Sequence, residues 1–183
     1  MLGYVGISAR YGDAVLRRMG ATGELLTVGL IGLADPLRSA DGRFALAFDG
    51  GGYHPRQVLA AWERWGTGTF GRLAGRYALA VADLVTGEVT LANDLAGSQS
   101  VYFAEDGDGR VVFASSIRPV LAGGIVGRRP DDPTVYRFLR DRARDAAGLV
   151  RLRPGSFAVI TPDGQVRQQP YPVRATRRHR LAG

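Results

Sequence analysis

Residues 76–83 read Arg76-Tyr77-Ala78-Leu79-Ala80-Val81-Ala82-Asp83, and residues 88–93 read Glu88-Val89-Thr90-Leu91-Ala92-Asn93. Tyr77, Leu79 and Val81 alternate with alanines, the period-two pattern of a strand with one bulky and one close-packed face. Thr86-Gly87 between the two segments supplies a hairpin turn. A second pair follows: Val101–Ala104 and Val111–Ala114 flank Asp106-Gly107-Asp108-Gly109, a strong turn signal. A third, Ser156–Ile160 with Gln165–Gln169, closes around Pro162-Asp163-Gly164.

Upstream of the hairpins, residues 1–8 read as a short buried strand, and Asp13–Met19 as a brief helix. Leu25–Leu33 is nearly continuous in apolar residues and predicts one strand buried on both faces. Ala34–Gly42 reads as loop and turn, and Phe44–Phe48 as a strand ended by Asp49-Gly50-Gly51-Gly52. The clearest helix starts with Pro55 at its first position and stops before Gly66. Val58, Leu59, Trp62 and Trp65 give it one apolar face, so both tryptophans are expected in the core. Ser116–Leu121 predicts a short helix with Pro119 in its first turn. Asp132 ahead of Pro133 opens a more polar helix to Ala147, stopped by Gly148. Strands on both sides of helical segments predict an α+β domain of packed antiparallel sheets.

Composition narrows the function classes. The chain has 183 residues, 45% of them hydrophobic, which suits one globular domain at 1–172 with a basic tail or linker stub at 173–183. No apolar run approaches the roughly 20 residues of a membrane helix, and the first residues lack the charged start and apolar run of a secretory signal, so none is expected. The absence of cysteine excludes disulfides and thiolate ligands and fits a cytoplasmic protein. The net charge is +7 without a single lysine, and Arg174, Arg177, Arg178 and Arg180 crowd the last ten residues. No helix-turn-helix, zinc-finger or aromatic RNA-binding signature accompanies that charge, so nucleic acid is not the expected partner.

Several motifs together resemble one family. Met1-Leu2-Gly3-Tyr4-Val5-Gly6 resembles the Met-Cys-Gly-x-x-Gly start of glutamine-hydrolysing amidotransferases, with Leu2 at the nucleophile's place. Trp65-Gly66 followed by Leu73-Ala74-Gly75-Arg76-Tyr77-Ala78-Leu79-Ala80 resembles the "W-G … L-x-G-x-F-A-x-A" segment of the asparagine synthetase family. Asn93-Asp94-Leu95-Ala96-Gly97, leading to Val101-Tyr102-Phe103, resembles its "R-D-x-x-G-x-x-P-L-Y-Y". Phe113-Ala114-Ser115-Ser116-Ile117-Arg118-Pro119-Val120-Leu121 resembles "F-A-S-E-x-K-A-L", and Leu152-Arg153-Pro154-Gly155 its late "L-x-P-G" turn. The resemblance implies a class II glutamine amidotransferase domain of the N-terminal-nucleophile type. The implied fold is a four-layer αββα sandwich of two antiparallel sheets.

The same resemblance implies a degenerate glutamine pocket. An N-terminal nucleophile must be Cys, Ser or Thr, activated by its own amino group. Leu2 has no lone pair, and its bulk disfavours removal of Met1. If Asp35 matches the family's aspartate, the arginine that holds the glutamine carboxylate is Leu30. Asp49-Gly50-Gly51-Gly52-Tyr53 resembles the "N-G-E-x-Y" loop, with Asp49 for the oxyanion-hole asparagine, Gly50 retained and Gly51 for the amine-reading glutamate. A carboxylate where an oxyanion develops opposes it by like charge.

Such domains resemble those of β-lactam synthetases and lasso-peptide macrolactam cyclases, whose chemistry lies in a separate ATP-binding domain with an S-G-G-x-D-S loop. That loop is absent; Ala122-Gly123-Gly124 lacks its Ser and Asp. The expectation is a catalytically inactive scaffold or subunit of an asparagine-synthetase-type amide-forming enzyme. ATP and magnesium would be held only by the partner synthetase domain, with no cofactor and no metal in this chain. Two alternatives are a residual glutamine amidotransferase using another nucleophile and a free-standing peptide- or nucleic-acid-binding module. His54, the Gly50–Gly52 run and Asp94 read as helix-start, connector and turn residues. Asp106 and Asp108 lack the downstream glutamate of a calcium loop and read as solvated turn residues.

Overall fold

A computed structural model of the chain describes residues 1–125 and 149–171. The helix expected over Pro133–Ala147 and the basic tail at 173–183 lie outside the described residues. Within them the order is β1 (Leu2–Val5), α1 (Ala9–Arg18), β2 (Leu25–Val28), β3 (Ile31–Ala34), β4 (Leu37–Arg38) and β5 (Phe44–Gly50). Then follow α2 (Pro55–Trp65), β6 (Tyr77–Asp83), β7 (Val89–Asn93), β8 (Tyr102–Glu105), β9 (Val111–Ala114) and α3 (Ile117–Ala122). The last strands are β10 (Leu149–Arg151), β11 (Ser156–Ile160) and β12 (Val166–Pro170).

The strands form two six-stranded sheets, ordered β10-β8-β9-β1-β3-β2 and β12-β11-β7-β6-β5-β4. Every pairing is antiparallel. The bulky and small faces of β6 now have their meaning. Ala78, Ala80 and Ala82, with Ala45 and Ala47 of β5, face the other sheet, whose Leu33, Phe103 and Phe113 fill the space between. Tyr77, Leu79 and Val81 point outward beneath Val58 and Leu59 of α2, together with Phe70. On the far side α1 and α3 cover Tyr4 and Val112 with Leu16, Met19 and Val120. Three apolar layers between four structural layers make this the αββα sandwich expected of the sequence.

The cap of α2 is reciprocal. His54 Nδ1 accepts from the Arg56 amide at 3.3 Å, and Gln57 Oε1 accepts from the His54 amide at 3.0 Å. Such a box satisfies two orphan donors of the first turn. Pro55 takes the first helical position and Gly66, at φ 52°, stops the helix, as the sequence predicts. Pro119 lies in the first turn of α3, also as predicted.

Four expectations about elements need correction. The loop expected over Ala34–Gly42 contains the short strand β4, whose Leu37 and Arg38 pair with Leu46 and Ala45. The apolar run Leu25–Leu33 is not one buried strand but the hairpin β2–β3, turned at Gly29-Leu30. Gly29 adopts φ 58°, the left-handed conformation that two-residue hairpin turns require, and Leu30 is left 45% exposed at the tip. Helix α1 begins at Ala9, earlier than Asp13, and runs through Gly12. A Cβ at Gly12 would overlap the Tyr4 hydroxyl beneath it, so glycine is what lets the helix lie on β1. Strand β5 extends past Phe48 to Gly50, pairing Asp49 with Ala78 and Gly50 with Tyr77. Asp49 is therefore a strand residue and not part of the connector.

Candidate functional site

One end of the sandwich gathers the start of β1, the ends of β5, β7 and β9, and the loop at 94–100. Antiparallel pairing brings them there: Leu2 stands opposite Ala114, and Asp49, Ala78 and Asn93 form a row across β5, β6 and β7. Directly paired residues share a face, and Ala47 and Ala78 face the opposite sheet. Asp49, two residues along from Ala47, therefore points into the same intersheet space.

Met1 packs against that layer. Its amino nitrogen lies 3.9 Å from Asp49 Oδ2 and 3.4 Å from Ser115 Oγ. The Ser115 amide donates to the Met1 carbonyl at 3.1 Å, which fixes the pair. Burial pushes the amino group's pKa below its ordinary value, while the charges of Asp49 and Asp35 pull it back up. On the other side of Asp49, Gln99 Nε2 donates to Oδ1 at 3.3 Å.

Gln99 reaches Asp49 because Asp94 folds the intervening loop. Asp94 is 2% exposed, and its carboxylate accepts backbone amides from Tyr77 (3.4 Å), Ala96 (3.1 Å), Ser98 (2.9 Å) and Gln99 (2.8 Å). Burial alone would raise its pKa. The amides of Gln99, Ser98 and Tyr77 outweigh it and hold the carboxyl below the usual range. The turn role expected for Asp94 is thus present in a fully organised form. Gly97 in this loop sits at φ 64° against Pro154, so the loop also closes on the Leu152–Gly155 turn.

The remaining sequence candidates divide. Leu2 is half-buried in the apolar layer under α1 and α3, pointing away from Asp49. Leu30 does not join the group. Its carbonyl accepts from Gly6 at 2.9 Å, four residues along β1 from Leu2, which is about 13 Å at the rise of a strand. Gly50 is sterically required, since a Cβ there would stand 2.6 Å from the Arg76 carbonyl oxygen. Gly51 is exposed, and its amide is spent on Arg76 O at 3.2 Å rather than offered to a ligand. His54 serves as the α2 cap and lines a hollow of ≈ 400 Å³ with Asp35, Phe48 and Arg56, on the outer side of the second sheet. Trp62 packs against Phe70 with centroids 5.8 Å apart, but Trp65 is 42% exposed, a correction to its expected core place. Asp106 and Asp108 both pair with Arg110 in their turn, at 2.6 and 3.0 Å. Among the described residues no group of three His, Asp or Glu is close enough to hold a metal ion.

Two members of the site, Gln99 and Ser115, carry no signal in the sequence beyond lying in motif segments. Ser115 meets Met1 through the pairing of β9 with β1, and Gln99 meets Asp49 through the loop that Asp94 folds.

Replacing Asp49 by Asn restores an amide at the position of the resembling asparagine. The Met1–Asp49 pair is long, at 3.9 Å, and the aspartate side chain is 40% exposed. Asp49→Asn is therefore expected to change stability by less than about 1 kcal/mol, read as the midpoint of urea unfolding.

Two facing antiparallel sheets with helices outside, and a chain start buried between them, match the N-terminal-nucleophile-type scaffold that the motif resemblance implies. The chain belongs to the glutamine amidotransferase domain family, whose pattern matches residues 54–172. It is 30% identical over 138 residues to putative glutamine-hydrolysing asparagine synthetases of Mycobacterium bovis and Mycobacterium tuberculosis. That match covers 72% of this chain and 21% of those proteins, so the chain spans about a fifth of their length. Among solved structures, it shares its fold with the glutamine phosphoribosylpyrophosphate amidotransferase of B. subtilis (TM-score 0.56, 18% identity, covering 92% of this chain and 48% of that one). A structure described as the allosteric regulatory enzyme of purine biosynthesis gives a TM-score of 0.60 at 15% identity, with the same coverage.

Proposed function

We propose that this domain no longer hydrolyses glutamine and acts as the scaffold or subunit of an ATP-dependent, asparagine-synthetase-type amide-forming enzyme. The observation that carries this reading is Asp49. It points into the space between the sheets beside Met1, and by the motif resemblance it stands for the asparagine whose amide stabilises an oxyanion. A negative carboxylate there raises the barrier to a tetrahedral intermediate instead of lowering it. Leu2 reinforces the point: its hydrocarbon cannot attack an amide carbonyl and is turned into the layer beneath α1 and α3, away from Asp49. Loss of a nucleophile alone forfeits about six orders of magnitude.

The likeness to putative asparagine synthetases supports the partner half of the reading. The partner would bind ATP and magnesium, adenylate a carboxylate and receive an amine directly, as macrolactam cyclases and β-lactam synthetases do. This domain would pack against it and shape its substrate entrance. Affinity capture of the full chain from its native cell tests this. The expected result is co-purification of a protein, or of a longer form of this one, carrying the S-G-G-x-D-S loop. Recovery of the domain with no such sequence attached contradicts it.

A second reading has one observation in its favour: Ser115 Oγ lies 3.4 Å from an amino group, a hydroxyl–amine pairing that can serve acyl transfer. If Ser115 works in this way, glutamate release from glutamine is measurable and disappears in Ser115→Ala.

A further inference from the structure

Away from the site, the outer face of α2 carries guanidinium groups that have no acidic partner among the described residues. Arg56, Ala60 and Arg64 are all exposed and recur at four-residue spacing, so they line one stripe with a methyl group between two cations. Glu63 is the single acidic residue of the helix. At its last position, Trp65 stands 42% exposed, with the Arg64 guanidinium 5.2 Å and the Arg72 guanidinium 4.8 Å from its ring centroid. Arg43 and Arg110 are paired with aspartates, whereas Arg56, Arg64 and Arg72 form no ion pair among the described residues.

We propose that this face docks an acidic segment of a partner protein, with Arg56, Arg64 and Arg72 taking its carboxylates and Trp65 covered by one of its apolar side chains. Stacking on the indole orders two long side chains before any partner arrives, which reduces the entropy lost on binding. A guanidinium held over a ring face keeps its edge N–H donors available for the fork that matches a carboxylate. Tryptophan and arginine are also the residue types that dominate binding energy at protein interfaces. A single-stranded nucleic acid is the poorer match. It needs free ring faces in succession, and the one exposed ring here already carries two cations.

The test uses the full chain and a fluorescent oligoglutamate peptide containing one leucine, followed by anisotropy at low salt. The variant Arg56→Ser/Arg64→Ser/Arg72→Ser is compared with the charge-matched variant Arg10→Ser/Arg118→Ser/Arg167→Ser, whose substitutions lie elsewhere on the surface. Loss of three carboxylate contacts is expected to weaken binding about tenfold in the first variant and to leave the second near the parent. Shielding of Trp65 from acrylamide by the peptide, absent in Trp65→Phe, accompanies binding. Equal weakening in both variants, no peptide binding by the parent chain, or tighter binding of an oligothymidine through the same arginines overturns the proposal.

Discussion

Phe70→Ala is expected to destabilise the domain by about 4 kcal/mol, the range for emptying a fully packed aromatic position. Phe70 is 1% exposed and sits at the centre of the layer beneath α2. Its ring centroid lies 5.8 Å from Trp62, 5.3 Å from Phe157 and 5.7 Å from Tyr171, so its removal leaves three large neighbours without a common partner. These come from α2, β11 and the residue after β12, which cannot all close on the cavity at once. For a domain of this size the loss corresponds to a fall in Tm of roughly 10 °C. Thermal denaturation followed by circular dichroism measures it. A fall smaller than about 3 °C would mean that the layer collapses around the gap and that Phe70 does not organise it.

Asp94→Ala is expected to cost about 3 kcal/mol, because four backbone amides lose a charged acceptor in a buried place. Asp94→Asn keeps one carbonyl oxygen and is expected to lose less. The consequence reaches the site, since the same loop delivers Gln99 to Asp49. Amide hydrogen exchange at residues 96–99 should accelerate in Asp94→Ala before the rest of the domain opens. The pH dependence has a definite sign. The folded-state pKa of Asp94 is depressed, so its stabilisation is complete above the unfolded value of about 3.9. It is lost as pH falls through the lower folded value. The stability difference between parent and Asp94→Ala should therefore shrink on acidification below about pH 4, and a difference that stays constant there would show that the carboxylate's charge is not what holds the loop.

Much of the fold was legible in the chain because local chemistry and global position agree. The alternation in Tyr77–Asp83, the turns at Thr86-Gly87 and Asp106–Gly109, and the Pro55 to Gly66 limits of α2 each have one reading. The failures occur where tertiary contact outweighs local pattern. Leu25–Leu33 looks like one buried strand because its apolar residues are continuous, yet Gly29 turns it and β2 becomes a sheet edge. Gly12 argues against a helix locally and is needed there because Tyr4 lies directly below. At the site, Asp49 could be named from its motif, while Gln99 and Ser115 could not. Their meeting depends on parts far apart in sequence: β5 ends where β9 ends because the two sheets stack, and Gln99 arrives on a loop folded by the Asp94 carboxylate. Leu30 shows the opposite error, a motif alignment that places a residue at the pocket while the hairpin holds it about 13 Å along the strand.

Glutamine hydrolysis by the purified full chain is the most direct measurement of the central claim. With ammonia and glutamate both quantified, the parent protein and Asp49→Asn should match a no-protein blank over hours at any glutamine concentration. Release of glutamate and ammonia in equal amounts, proportional to protein and abolished by Ser115→Ala, would contradict the account and make this an active amidotransferase.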